Sequence, residues 1–257
     1  MSCDRELLLT EIKRVHQRHH NTEHPFSLLE TDTFSAWAAR VGTSATKEID
    51  PAFHAFNSSR KQLLTLYPSV KKTLLAVRSR GLKIVAFSDS NYFGVLDRIR
   101  RLEIEPLFDH VYCSPRSLEG SRPGTSPYGW SSEKITELPI NSKKPNAFVL
   151  KGICNKQDVQ PSAAIYVGDS LAKDIVMAEQ AGVYSVWAKY GSNVDPNLYS
   201  SLVKISHWTT EDIEREIKYR KLADAIQPNF ICNTDLSELL IAPMMQSSFE
   251  SRVSSVA

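Results

Sequence analysis

No stretch of this 257-residue chain stays apolar for the roughly twenty positions that a bilayer crossing needs. Cysteine is scarce: Cys3, Cys113, Cys154 and Cys232 lie far apart with no Cys-x-x-Cys pair, so nothing points to an oxidising compartment. Charge of one sign is lacking too, because 31 Lys and Arg stand against 29 Asp and Glu, a net +2, which gives neither a nucleic-acid footprint nor an acidic tail. The opening MSCDRELLLTEIKRV is charged from its fourth residue and has no signal-peptide apolar core. No internal repeat is visible. These absences lead to the expectation of a soluble, cytoplasmic protein with no nucleic-acid and no membrane partner.

What is present divides by period. Residues 1–66 read as helical throughout, with Leu8, Ile12 and Val15 on one stripe, and Phe34, Trp37, Ala38 and Val41 on another. Asp50-Pro51 is a strong start signal for a third helix. From Tyr67 the pattern changes to alternating helix and strand, which predicts an α/β fold with a parallel sheet flanked by helices over 67–193. Its strand candidates are Lys83–Phe87, His110–Cys113, Ala164–Gly168 and Val183–Ala188. Residues 114–143 are rich in Ser, Pro and Gly and read as a long inserted loop, either a substrate-side flap or a plain surface insertion. Residues 194–242 read as a C-terminal helical extension, and 243–257 as a disordered tail.

The most informative run is Ala164-Ile-Tyr-Val-Gly-Asp-Ser-Leu-Ala-Lys-Asp174: a buried-looking strand, a glycine, and two carboxylates five positions apart at the start of a helix that stops at Gly182. Open α/β sheets place their ligands at the carboxyl ends of strands, and hard oxygen donors suit Mg2+. Asp169 and Asp174 therefore read as half of a magnesium site, against the alternative that they only cap the helix. Two more segments lie at strand ends or helix starts. Ser88-Asp89 ends the strand from Lys83, where a hydroxyl could meet a phosphate oxygen, and Lys144 precedes Pro145 as a cation for a phosphoryl group.

In that order, these motifs resemble the haloacid dehalogenase superfamily, in its helical-cap, phosphoglycolate phosphatase-like branch. The run Tyr67–Ser88 resembles the family's helix and second motif, Lys144-Pro145-Asn146 its third, and Gly168-Asp169 with Asp174 its fourth, while residues 1–66 resemble its helical cap. The resemblance implies a magnesium-dependent phosphatase acting on a small-molecule phosphate ester through an aspartyl-phosphate. Ser88, Asp89 and Lys144 would bind the phosphoryl group, Lys144 would also steady the nucleophile, and Asp169 would ligate Mg2+ with Asp174 supporting it. A phosphomutase would share these residues, and a dehalogenase would need no metal.

One element of the pattern is absent. The family's nucleophile opens an Asp-x-Asp motif after an apolar strand that lies at the centre of the sheet, and this sequence shows no such strand. The nearest text, Glu30-Thr31-Asp32, begins with Glu and lies in the helical segment. The expectation is a chain that starts within the cap and is inactive as written, either truncated or a non-catalytic relative with a binding or regulatory role. Without that strand, the strands ending at Ser88 and Gly168 must pair directly or leave unpaired edges. His16, His19, His20 and His24 could suggest a transition-metal site, but with no completing Cys or acid they read as a solvated helix end.

Overall fold

The computed structural model describes residues 4–19, 27–116, 132–192, 196–206, 208–222 and 225–246. Three helices come first, α1 (Arg5–Arg18), α2 (Asp32–Val41) and α3 (Ala45–Leu63). Each start has a local cause. The Asp4 carboxylate accepts from the N–H groups of Glu6 and Leu7, and the Thr31 hydroxyl accepts from Phe34 N–H at 3.1 Å. The third helix begins earlier than Asp50-Pro51 suggests. The Ser44 hydroxyl donates to the Glu48 carboxylate at 3.0 Å across its first turn, and Pro51 sits inside the helix, where one ladder N–H is missing.

After α4 (Val70–Ser79) the chain alternates through β1 (Val85–Asn91), α5 (Tyr92–Arg101), β2 (His110–Ser114), β3 (Ile135–Glu137), α6 (Ala147–Lys156), β4 (Ile165–Gly168), α7 (Val176–Ala181) and β5 (Tyr184–Ala188). It closes with α8 (Pro196–Ile205), α9 (Thr210–Leu222) and β6 (Phe230–Cys232). Every strand pairing is parallel, as the α/β alternation requires. Gly182 ends α7 at φ 72°, the left-handed cap expected of it. Two strands escaped the periodicity. β3 lies within the 114–143 segment expected to be loop, and β6 lies within 194–242, expected to be helical; at three residues each, neither is long enough to show alternation.

The strands form two separate three-stranded sheets, β1-β2-β3 and β4-β5-β6. β1 and β4 each end a sheet, and among the described residues neither has a second strand partner. Burial follows: Val111, Tyr112 and Cys113 of β2 are 2 % exposed or less, and Ser185 and Val186 of β5 are fully buried. The residues of β4 and all but the last of β1 are only half-buried. Half-burial leaves these strands short of a dry core, where unpaired backbone groups would carry their full desolvation cost. The two strands still meet through side chains, since Phe87 and Tyr166 share one apolar cluster, and Ile84, Ile165 and Val167 share another.

The C-terminal segment returns over both parts. α8 packs on α1, with Lys13 Nζ donating to Val203 O at 3.2 Å and Lys204 paired with Glu6 at 2.8 Å. Thr209 and Asp212 form a reciprocal capping box at the start of α9, each side chain accepting from the other's backbone N–H. Leu236, Leu239, Ala242 and Met245 pack with Val77 of α4, so the stretch expected as tail begins inside the core. Residues 247–257 of that tail, and 117–131 of the inserted segment, lie outside the described residues.

The split sheet gives a direct expectation for hydrogen exchange. Amides of Val85–Ser88 and Ile165–Gly168 that point away from β2 and β5 should exchange at least about tenfold faster than their neighbours bonded across the ladder. Uniform protection along both strands, measured residue by residue by NMR, would mean that the two sheets are joined.

Candidate functional site

β4 alternates, so Ile165 and Val167 face one side while Tyr166 and Gly168 share the other. That second face builds the site. A methyl group at Gly168 would collide with the Asp174 side chain, so only glycine lets that side chain sit against the strand. Beyond Gly168, Ser170 caps a one-turn π-helical segment, Leu171–Ile175, by accepting from Lys173 N–H at 3.2 Å. The wider turn brings Asp174 back under the strand end, where Ser170 N–H donates to its Oδ2 at 3.1 Å. Trp187 Nε1 donates to the Asp169 carbonyl at 3.0 Å and fixes the turn from β5.

Lys144 enters from the other sheet. Its Nζ lies 2.9 Å from Asp174 Oδ1, with the two side chains 16 % and 5 % exposed. Its backbone N–H donates to Asp89 Oδ1 at 3.1 Å, which ties the segment before α6 to the end of β1. The Lys144 ammonium also stands 5.5 Å from the Phe87 ring and 5.9 Å from the Tyr166 ring. Asp89, Lys144, Asp169 and Asp174 are thus brought together. Ser88 is not joined to them: its hydroxyl accepts from Ser90 N–H at 3.1 Å, and strand alternation places Asp89, not Ser88, on the side of Phe87. Nor does Ser88 sit at a helix start, since β1 runs on to Asn91 and it is Asn91 that caps α5.

Electrostatics separate the roles. Burial alone would push the Lys144 ammonium down, but the acidic groups of Tyr166, Asp174 and Asp89, and the hydrogen bond to Asp174, override it and hold it well above the ordinary lysine value. Lys144 is a permanent cation. Although Asp169 keeps an exposed surface, desolvation by the atoms around its carboxyl, and then the charge of Asp174, push that carboxyl up, with Lys144 and Lys173 only partly offsetting them. Burial pushes the Lys143 ammonium down against the pull of Asp89 and Asp212.

The donor set limits what a magnesium ion could find here. Asp174 Oδ1 already receives Lys144 and Tyr166, and its Oδ2 receives Ser170 N–H. It is therefore an anchor, and Asp169, exposed at the turn, is the open carboxylate of the pair. Among the described residues no three His, Cys, Asp or Glu side chains gather as a metal cage. One carboxylate does suit Mg2+ held jointly with a phosphate, because that ion keeps several waters and commonly takes one or two carboxylates plus phosphate oxygens.

The helical segment holds different chemistry from that expected. His16 and His19 are buried rather than solvated, and His19 Nε2 lies 3.0 Å from a Glu30 carboxylate oxygen. His20 and His24 lie outside the described residues. Glu30, Thr31 and Asp32 serve as an ion-pair partner, a cap and a first-turn acid, so this text is structural. Tyr166 was read from sequence only as strand; its position two residues before Gly168 is the signal that it shares the glycine's face.

Comparison with known proteins shows the family to which the chain belongs. The family model described as haloacid dehalogenase-like hydrolase matches residues 28–182, well over half of the chain. The chain is 29% identical over 144 residues to a glyceraldehyde 3-phosphate phosphatase from Pyrococcus furiosus, covering 56% of this chain and 50% of that protein. It is 27% identical over 138 residues to a phosphoglycolate phosphatase from Vibrio vulnificus, covering 54% of this chain and 50% of that one. The match thus spans about half the length of these curated relatives. A solved 2-haloacid dehalogenase from Pseudomonas syringae aligns over 98% of this chain and 82% of its own, at 17% identity and a TM-score of 0.49. With the Gly168-Asp169 turn, the anchored Asp174 and the Lys144 cation in place, the matched span shows that this chain belongs to the haloacid dehalogenase-like hydrolases.

Proposed function

We propose that this chain carries the phosphate-handling part of a magnesium-dependent phosphatase acting on small phosphate esters. The observation that carries the reading is Lys144, a permanent cation held at 2.9 Å by Asp174 beside the open carboxylate of Asp169. Two relatives are phosphatases of small phosphate esters by name, which supports the same substrate class. In this reading Lys144 faces the phosphoryl charge and Asp89 fixes the Lys144 backbone, while Ser88, turned to the other face of β1, contributes little. Asp169 would hold the magnesium ion, which supplies charge neutralisation on the phosphate when bound.

The attacking carboxylate has no counterpart in this sequence. No two aspartates of the 257 residues stand two positions apart, so the Asp-x-Asp pair that the resemblance calls for is not in this sequence. The chain as written is therefore expected to bind phosphate without turning over esters. With Mg2+ present, p-nitrophenyl phosphate should not be hydrolysed above buffer rate, while titration calorimetry should detect inorganic phosphate or vanadate. Lys144→Met should weaken that binding by about tenfold or more, the scale of one charge-assisted hydrogen bond, and Ser88→Ala by less. Turnover that Asp169→Asn abolishes would overturn the inactive reading; anion binding indifferent to Lys144 would overturn the site.

Asp169 has a second signature, in stability. Its folded-state pKa is raised above the unfolded value, so its carboxyl favours folding at low pH and that contribution is lost as pH rises through the folded value. At neutral pH the charge opposes folding. Because solvent screens a residue with an exposed surface, Asp169→Asn should raise the thermal unfolding midpoint only slightly at pH 7, by about one degree, and leave it nearly unchanged near pH 3, where the carboxyl is protonated in both states. A lower midpoint at pH 7 would show Asp169 to be a structural cap instead.

A further inference from the structure

Three hydrogen-bonding groups meet on the Asp174 carboxylate, and besides the Lys144 ammonium they are a backbone N–H and a phenol. Tyr166 Oη donates to Asp174 Oδ1 at 3.0 Å, the same oxygen that Lys144 Nζ engages at 2.9 Å. Oδ2 is occupied by Ser170 N–H at 3.1 Å. The carboxylate is thereby fixed in rotation: one oxygen is held by the backbone of the turn and the other by a phenol and an ammonium. Without the phenol, Oδ1 would have only a flexible lysine to hold it, and a lysine side chain has several rotamers of similar energy.

We infer that Tyr166 is a positioning residue, whose hydroxyl holds Asp174 Oδ1 so that the Lys144 ammonium stays at one place and orientation beside Asp169. The inference deepens the phosphate-handling reading and rests on it for its functional meaning, though not for its geometry. Sequence logic and packing agree. Tyr166 and Gly168 are two apart on β4, so one face of one strand supplies both the hydroxyl and the missing Cβ that admits Asp174. The ring packs with Phe87 of β1 and with the α6 and α7 side chains Leu150, Cys154, Met177 and Ala178, which leaves the hydroxyl little freedom. Burial pushes the phenol's own ionisation far above its usual range, Asp174 adds to that rise and Lys144 opposes it, so the hydroxyl remains a donor at every physiological pH. The ring's second contact is with the ammonium itself, at 5.9 Å from its centroid.

The test removes the hydroxyl and keeps the ring. Tyr166→Phe is compared with Asp174→Asn and the double variant in the full chain, by two readouts. The first is the water-exchange rate of the Lys144 ammonium protons, followed by NMR without any ligand. Tyr166→Phe should speed it about tenfold, and adding Tyr166→Phe to Asp174→Asn should change it by less than about twofold, because the hydroxyl acts through that carboxylate. The second is the affinity for inorganic phosphate, which should fall about three- to tenfold in Tyr166→Phe with the unfolding midpoint shifted by only about a few degrees. An unchanged Lys144 exchange rate in Tyr166→Phe, or an effect that persists in full on the Asp174→Asn background, would overturn the positioning role. Absence of phosphate binding in the unsubstituted chain would overturn the phosphate-handling reading alone, since the exchange experiment still decides the role of Tyr166.

Discussion

The ion pair between Lys144 and Asp174 is the interaction on which the rest of the structure depends. It joins segments that belong to different sheets: Lys144 leads from β3 into α6, whereas Asp174 lies in the turn after β4. Both partners are largely removed from water, so each would be costly without the other. Other features serve to make the pair possible. Gly168 removes a Cβ, the π-helical turn swings Asp174 under the strand, Ser170 and Tyr166 fill the remaining carboxylate sites, and Asp89 holds the lysine by its backbone. A site that must present a cation at a fixed place gains from such a clamp more than the molecule gains in stability.

The split between the two sheets has the same consequence seen from the fold. Parallel strands ordinarily draw rigidity from neighbours on both sides, and here β1 and β4, the strands that carry Asp89 and Gly168, have a neighbour on one side only. Their mutual position rests on side chains. Phe87 against Tyr166, Ile84 among Ile165 and Val167, and the Lys144 bridge take over what backbone hydrogen bonds do elsewhere in the molecule.

The α/β alternation, the cap at Gly182 and the convergence of Lys144 with Asp169 and Asp174 were legible in the sequence because each has a strong local cause: a period, a glycine, a charged residue beside a strand end. β3 and β6 were not, since three-residue strands have no period and are defined only by the partner they pair with. The helix start at Ala45 was hidden by a stronger signal at Asp50-Pro51, which the Ser44–Glu48 bond overrides. His16 and His19 read as solvated because sequence spacing shows a helix face but not what packs on it; Glu30, eleven residues on, comes within hydrogen-bond distance of the buried His19 ring. Ser88 and Asp89 exchanged prominence for a similar reason. The strand runs farther than its apolar residues, and alternation then turns the carboxylate, rather than the hydroxyl, toward the lysine.

The return of the chain through Trp208 sets one residue between the first helix and the turn of the site. Gln17 at the end of α1 donates to the Trp208 carbonyl at 3.5 Å, while the Trp208 ring lies 5.2 Å from the Lys173 ammonium, one residue before Asp174. The first helix and the turn that orients the buried carboxylate thus both touch one residue far from either in sequence, the helix at its carbonyl and the turn at its ring, so replacing that tryptophan would remove the ring from the turn and leave the carbonyl to the helix.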